Sequence, residues 1–252
     1  MTLHARRTKT ALAALAPALL ALALAAAAPA NATPATGAGQ AFPHFDHHLD
    51  HHARTHSNQI WGGYAVTGGT YTSVSGSWNV PALDCSTART SAVSPWIGID
   101  GWSSDTVEQI GFDQDCTRGV PGYHPWVEMY PANSIYFTET VVPGDRITAS
   151  VTVSGTTFTL TESDTTQGWS KTYRKTGSDQ LSSAEAIVED LGSSIPPVAR
   201  FDPIDFTGVT VDGSPLADAG TVNPTDIERG STPLTQNSPL SGGDFSLGWL
   251  HA

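Results

Sequence analysis

The chain is 252 residues long, 39% hydrophobic and only 14% charged, with 24 Gly and 17 Pro. Ordinary soluble domains carry about 25% charged residues; here Thr and Ser supply the polarity, which points to a β-rich, extracellular type of chain rather than a helical bundle, while the apolar share excludes wholesale disorder. Twelve Lys+Arg against 24 Asp+Glu give a net charge of -12, which argues against nucleic acid as a partner, because that affinity comes largely from neutralising phosphates.

The first 32 residues have the three regions of a secretory signal peptide. Arg6, Arg7 and Lys9 come first, then an Ala/Leu run over 11–28 broken by Pro17, then the small-residue site Ala30-Asn31-Ala32. A membrane anchor is the weaker reading, because the run is rich in weakly apolar Ala, and no other stretch is long and apolar enough to span a bilayer. Residues 33–56 form a second unusual segment. A linker-like stretch precedes His44, His47, His48, His51, His52 and His56, six of the nine histidines in the chain. Several are spaced i,i+4 and so could share a helical face. Three readings stay open for this leader: a pro-segment that becomes cationic below about pH 6, a metal-binding tract, or a solvated linker.

From residue 57 onward, eight Lys+Arg face 22 Asp+Glu, a balance of -14. Such a surface repels itself at neutral pH and relaxes as carboxylates protonate, which suits an acidic working environment. Strand signals recur through this region between Gly, Pro and Asp breaks. Thr70-Tyr-Thr-Ser-Val-Ser-Gly-Ser-Trp78 alternates. Pro143-Gly144-Asp145 reads as a turn. Ile147-Thr-Ala-Ser-Val-Thr-Val153 and Thr156-Thr-Phe-Thr-Leu-Thr161, separated by Ser154-Gly155, read as a hairpin. Residues 182–191 read by themselves as a short helix. The whole is expected to form one all-β, single-domain β-sandwich over 57–252. Cys85 and Cys116 are the only cysteines; in a secreted chain they default to one disulfide, with two buried thiols as the minor alternative.

Four segments carry the most information, because side chains alternate faces along a strand. In Trp96-Ile-Gly-Ile-Asp100, Ile97 and Ile99 oppose Trp96, Gly98 and Asp100. In Gln109-Ile-Gly-Phe-Asp113, Ile110 and Phe112 oppose Gln109 and Asp113. In Trp126-Val-Glu-Met-Tyr130, Val127 and Met129 oppose Trp126, Glu128 and Tyr130. In Ala184-Glu-Ala-Ile-Val-Glu189, Ala186 and Val188 oppose Glu185, Ile187 and Glu189. One face of each is aliphatic or aromatic and suits a core. The other mixes large aromatics with acids and amides, the composition of a groove for an amphipathic ligand.

The chemistry open to that groove is limited. His124 and His251 are the only histidines after residue 57, so no zinc pattern, metal or cofactor is called for. No G-x-S-x-G elbow or nucleotide fingerprint occurs. A Ser-His-Asp triad would need His124, inside the turn-like Pro121-Gly-Tyr-His-Pro125. Carboxylates and amides remain: paired acids could hydrolyse a glycosidic bond, or one carboxylate could activate water against an amide while Gln stabilises the oxyanion.

The ordered motifs Asn58-Gln-Ile-Trp-Gly-Gly-Tyr64, Ser77-Trp-Asn-Val-Pro81, Trp96-Ile-Gly-Ile-Asp-Gly101, Gln109-Ile-Gly-Phe-Asp113, Trp126-Val-Glu-Met-Tyr-Pro131, Pro143-Gly-Asp145 and Ala184-Glu-Ala-Ile-Val-Glu-Asp190 resemble those of the glutamic peptidases, the eqolisins. The resemblance runs from about Asn58 to the C-terminus. It implies two bent antiparallel sheets and a secreted, acid-acting, pepstatin-insensitive endopeptidase with polypeptide substrates. It also implies a catalytic pair, Gln109 and Glu189, and a strand over 182–191. Trp96, Asp100, Glu128 and Tyr130 would line the cleft; Asp113, Trp126 and Glu185 would stand in it or support it. A monomer without cofactor, nucleic acid or (after signal removal) membrane partner is the expectation. A carbohydrate-active sandwich and a non-catalytic binding module are the alternatives.

Overall fold

The computed structural model describes residues 58–191 and 197–251; the signal peptide and His-rich leader read from the sequence lie outside the described residues. The strand Thr157–Asp164 shows how the chain builds its sheets. Phe158, Leu160, Glu162 and Asp164 are buried, and the residues between them are half-buried. The strand Arg146–Ser154 matches it, with Ile147, Ala149 and Val151 inward. Gly155, at φ +61, closes the hairpin between them, the left-handed backbone that glycine adopts without strain.

Two large sheets result, antiparallel throughout. One runs Trp169–Thr176, Thr157–Asp164, Arg146–Ser154, Ser73–Asn79, Ile204–Val211, Phe245–Trp249, Thr235–Asn237, with Ser214–Pro215 also paired to Ile204–Val211. The other, which carries the candidate site, runs Thr221–Thr225, Trp61–Thr67, Ser183–Asp190, Thr90–Ile99, Val107–Thr117, Val120–Tyr130, Ile135–Tyr136. Two short ladders join Asn58–Gln59 to Glu228–Arg229 and Leu83–Asp84 to Arg200–Phe201. The main core draws Ile97, Ile99, Ile110, Phe112, Val127, Ala186 and Val188 from the site sheet. Against them stand Trp78, Ile147, Leu160, Phe206 and Phe245 of the second sheet. Trp78 stacks on Phe112 with ring centroids 6.4 Å apart, and Phe206 on Phe245 at 4.8 Å.

Two local signals yield to tertiary pairing. Ser183–Asp190 is a strand with every residue buried, although its Ala and Glu favour helix. It lies between Trp61–Thr67 and Thr90–Ile99 and pairs with both along its length, so its backbone is satisfied only when extended. Residues 121–125 are likewise no turn but part of the strand Val120–Tyr130. Pro121 and Pro125 are tolerated there because this is the sheet's outer side, where the neighbour Ile135–Tyr136 pairs with Trp126 and Val127 and Pro125 serves as acceptor only, its carbonyl taking Phe137 N at 2.8 Å; a missing N–H does little harm near such an edge.

Cys85 and Cys116 are bridged, with Cα atoms 5.4 Å apart. The bond ties the short Leu83–Asp84 ladder to the end of Val107–Thr117. Replacing both cysteines with Ala should lower the unfolding free energy by about 3–4 kcal/mol, from the loop the bridge closes. Denaturant unfolding curves of the two proteins check this; coincident midpoints would contradict it.

Candidate active site

Three rows cross the site sheet at right angles to its strands. In the first, Glu185 pairs with Gly98, Gly98 with Gln109, and Gln109 with Glu128. In the second, Ile187, Trp96, Gly111, Trp126 and Tyr136 stand in line. In the third, Glu189 pairs with Ser94 and Asp113 with His124; Ser94 Oγ joins the two halves by donating to Asp113 Oδ1 at 2.9 Å. These positions share one parity and so one face, turned away from the main core. Gln109 and Glu189 are thus on the same face, two strands apart and offset by four residues, with Trp96 on the diagonal between them.

Glycine makes room for that tryptophan. A Cβ on Gly98 would lie 3.0 Å from Trp96 Cζ3, and one on Gly111 would lie 2.3 Å from the Pro95 carbonyl oxygen and 2.7 Å from Trp96 Cβ. With neither present, the indole lies down across the sheet and its Nε1 donates to Glu189 Oε2 at 3.0 Å. Trp61 meets Trp96 edge-on at 5.0 Å, and Val107, Trp126 and Ile187 complete a second apolar cluster on this face.

The polar groups are held in order by one another. Gln109, fully buried, donates from Nε2 to Glu128 Oε2 at 2.6 Å, and Ser134 Oγ donates to Glu128 Oε1 at 2.9 Å. The amide nitrogen carries two hydrogens, and this contact uses one. Trp126 Nε1 donates to Ser94 Oγ at 3.1 Å, and Tyr136 Oη to Asp113 Oδ2 at 2.6 Å. Burial, then the charge and hydrogen bond of Asp113, push the Tyr136 phenol far above its ordinary range, so it keeps its proton and donates it to Asp113. His124 Nε2 lies 3.0 Å from Asp115 Oδ2.

Not every candidate reaches the same place. Asp100, in the left-handed region at φ 67, accepts at its carboxylate from the N–H groups of Leu181 (2.7 Å) and Ser182 (2.8 Å) and from Ser182 Oγ (2.9 Å). It fastens the loop before Ser183–Asp190 and thereby sets the start of the strand that ends at Glu189. Glu185 is fully buried, and desolvation above all pushes its carboxyl well above the ordinary range, with Asp100 and Glu108 adding to the effect. Half-buried Tyr130 packs against the aromatic cluster. Sequence reasoning passed over Ser94, Ser134, Tyr136 and Glu108. Ser94 carries a weak signal, being of the same parity as Trp96 one step outside the motif; Ser134 and Tyr136 come from a loop and a two-residue strand that no pattern marks.

A family model described as the peptidase A4 family matches residues 59–248. Aspergillopepsin-2 of Aspergillus niger is 28% identical over 222 residues, which cover 75% of this chain and 77% of that one. Scytalidopepsin B of Scytalidium lignicola is 35% identical over 175 residues, 62% of this chain and 65% of that one. The crystal structure of scytalido-glutamic peptidase with a peptide-based transition state analog superposes with a TM-score of 0.67 at 32% identity, covering 77% of this chain and 99% of that one. That of aspergilloglutamic peptidase from Aspergillus niger does so with a TM-score of 0.55 at 30% identity, covering 63% and 99%.

Glu108 gives this sheet a pH signature. Burial first, then Asp179 and Asp100, push its carboxyl up to about 9. The folded chain therefore keeps a proton that an unfolded carboxyl releases above about pH 4. That contribution to stability is complete below pH ~4 and is lost as the pH rises toward 9. Glu108→Gln should match the parent in stability at pH 4 and exceed it increasingly from pH 5 to 8. Unfolding midpoints across that range test it, and a constant difference would overturn the assignment.

Proposed function

The chain belongs to the peptidase A4 family, the eqolisins, and is a glutamic endopeptidase; from that premise we propose that Gln109 and Glu189 are its catalytic pair. Membership favours peptide over glycosidic bonds as the target. In the proposed reaction, ionised Glu189 takes a proton from a water molecule, and the oxygen attacks the carbonyl carbon of the scissile peptide. The carbonyl oxygen becomes an oxyanion and accepts from the Gln109 N–H that Glu128 does not use. The C–N bond then breaks as protonated Glu189 returns the proton to the leaving amine. Glutamine suits its part because it cannot ionise, so its donor persists at any pH.

The observation that carries this reading is the pair of fixed orientations on one face. Glu128 sets which end of the Gln109 amide is engaged, through a 2.6 Å bond, and Trp96 Nε1 holds Glu189 Oε2 at 3.0 Å. Both contacts are made before substrate arrives, which is how a site stabilises developing charge without reorganising. Trp96, Trp126 and Tyr130 would bear on the substrate, while Asp113 and Asp100 hold the surrounding elements in place. We further read residues 1–32 as the signal that sends the protein out of the cell and 33–56 as a removable pro-segment. The released domain, from about residue 57, acts as a monomer on polypeptides.

A protein-digestion assay in acid with pepstatin present tests the pair. The parent should cleave. Gln109→Ala should lose roughly 10²–10³-fold in kcat, the loss typical of one oxyanion donor, and Glu189→Gln at least as much. Undiminished cleavage by a folded Glu189→Gln would exclude it as the base. Glu128→Gln, which removes the charge but keeps the shape, should lose activity mainly in kcat, roughly tenfold, with little change in KM.

A further inference from the structure

The second sheet holds a group of acids that the catalytic reading does not use. Glu162 and Asp164 are completely buried and Asp145 is 2% exposed. Asp145 ends the Pro143-Gly144 turn. Its Oδ2 accepts from Val142 N at 2.8 Å, and its two oxygens accept from Gln167 Nε2 at 3.0 and 3.1 Å. Asp164 Oδ1 accepts from the N–H groups of Thr166 at 2.8 Å and Gln167 at 2.9 Å. Asp164 Oδ2 and both oxygens of Glu162 meet no hydrogen-bond donor among the described residues. Gln167 ties the two acids together, its backbone N–H on Asp164 and its side-chain Nε2 on Asp145. The turn over 164–168 also grips the start of the neighbouring strand: Thr165 N donates to the Arg146 carbonyl at 3.1 Å, and Arg146 N to Thr166 Oγ1 at 3.0 Å.

The surroundings supply little positive charge. From one adjacent strand Ile147 faces Asp164 and Ala149 faces Glu162. From the other, Trp169 faces Asp164, and Lys171 faces Glu162 but pairs its ammonium with Glu139. Arg146, next to Asp145 in sequence, bonds Thr207 instead. Across the core, Val107–Thr117 packs against this strand. Its inward positions carry Ile110, Phe112 and uncharged Gln114, and its inward acid, Glu108, is set against Asp179 and Asp100. Glu162 and Asp164, buried two residues apart on one face of a strand with no cation paired to them among the described residues, would repel each other strongly if both were ionised in so dry a place.

We propose that Glu162 and Asp164, with Asp145 joined to them through Gln167, form an acid-locked clasp: protons held on Glu162 and Asp164 keep the 142–145 and 164–168 turns together in acid, and their loss toward neutral pH releases the edge hairpins of the second sheet. The enzyme is thereby switched off through its fold rather than through its catalytic groups. The switching-off of cleavage rests on the peptidase reading; the clasp itself does not. Burial, opposed by backbone N–H groups and reinforced by Asp145, raises Asp164, and burial with Asp164 raises Glu162 well above the ordinary range. The folded state thus binds protons that the unfolded chain gives up above about pH 4, and stability falls as pH rises from there.

The test is thermal unfolding of the full chain at pH 4 and pH 7.5, for the parent, Glu162→Gln and Asp164→Asn, which mimic the protonated groups. The variants should melt with the parent at pH 4 and about 4 °C or more above it at pH 7.5. They should also keep more activity when returned to acid after standing at pH 7.5. If Glu162→Gln does not fold, Glu162→Leu, which removes the titrating group altogether, must show the same gain. Melting curves that run parallel to the parent at both pH values, for every folded variant, overturn the clasp. A pH-dependent gain in a chain that cleaves nothing would leave the clasp standing and remove the peptidase reading.

Discussion

The central strands of the site sheet are buried on both faces. Every residue of Ser183–Asp190 is buried, as are nine of the ten residues of Thr90–Ile99. A polar group in such a place must be hydrogen-bonded, paired or neutral. The arrangement of the site follows from that constraint. Gln109 bonds Glu128, Glu189 bonds Trp96, and Asp113 takes Ser94 and Tyr136. The bonds that relieve burial are the same bonds that orient the groups proposed for the chemistry.

Where hydrogen bonds do not offset burial, the remedy is a proton. Glu108, Glu162 and Glu185 are all raised by desolvation before any other cause. Asp190, pushed up to about 7 by burial despite Arg229, extends the pattern. With eight Lys+Arg against 22 Asp+Glu after residue 57, there are too few cations to pair these acids. An acidic medium keeps them neutral and compatible with burial, so composition, stability and the acid habit of the family share one physical origin.

Much of the fold and part of the site were legible in the sequence. The alternation in the four key segments sorted Ile97, Ile110, Phe112 and Val188 into the main core and Trp96, Trp126 and Ile187 into the second cluster. The 154–155 hairpin and the turn at Gly144 were legible for the same reason, since they depend on neighbours in the chain. Asp100 shows the limit. Parity put it on the site face, but only the fold shows that backbone N–H groups of residues 181 and 182 occupy its carboxylate. The helical look of 182–191, which the family resemblance already overrode, and the turn-like look of 121–125 do not hold because local propensity is weaker than a ladder of backbone hydrogen bonds on one or both sides.

By itself the sequence determined which side chains share a face, because the two-residue repeat of a strand is a local property. It also determined which residue types were on hand for chemistry, and that Cys85 and Cys116 had only each other. Tertiary structure alone decided which strands are neighbours and in what register. That brought Gly98 and Gly111 beside Trp96, and so Trp96 onto Glu189, and it joined Asp145 to Asp164 through Gln167. Contacts between residues far apart in the chain depend on the pairing of whole strands, and no local pattern encodes it.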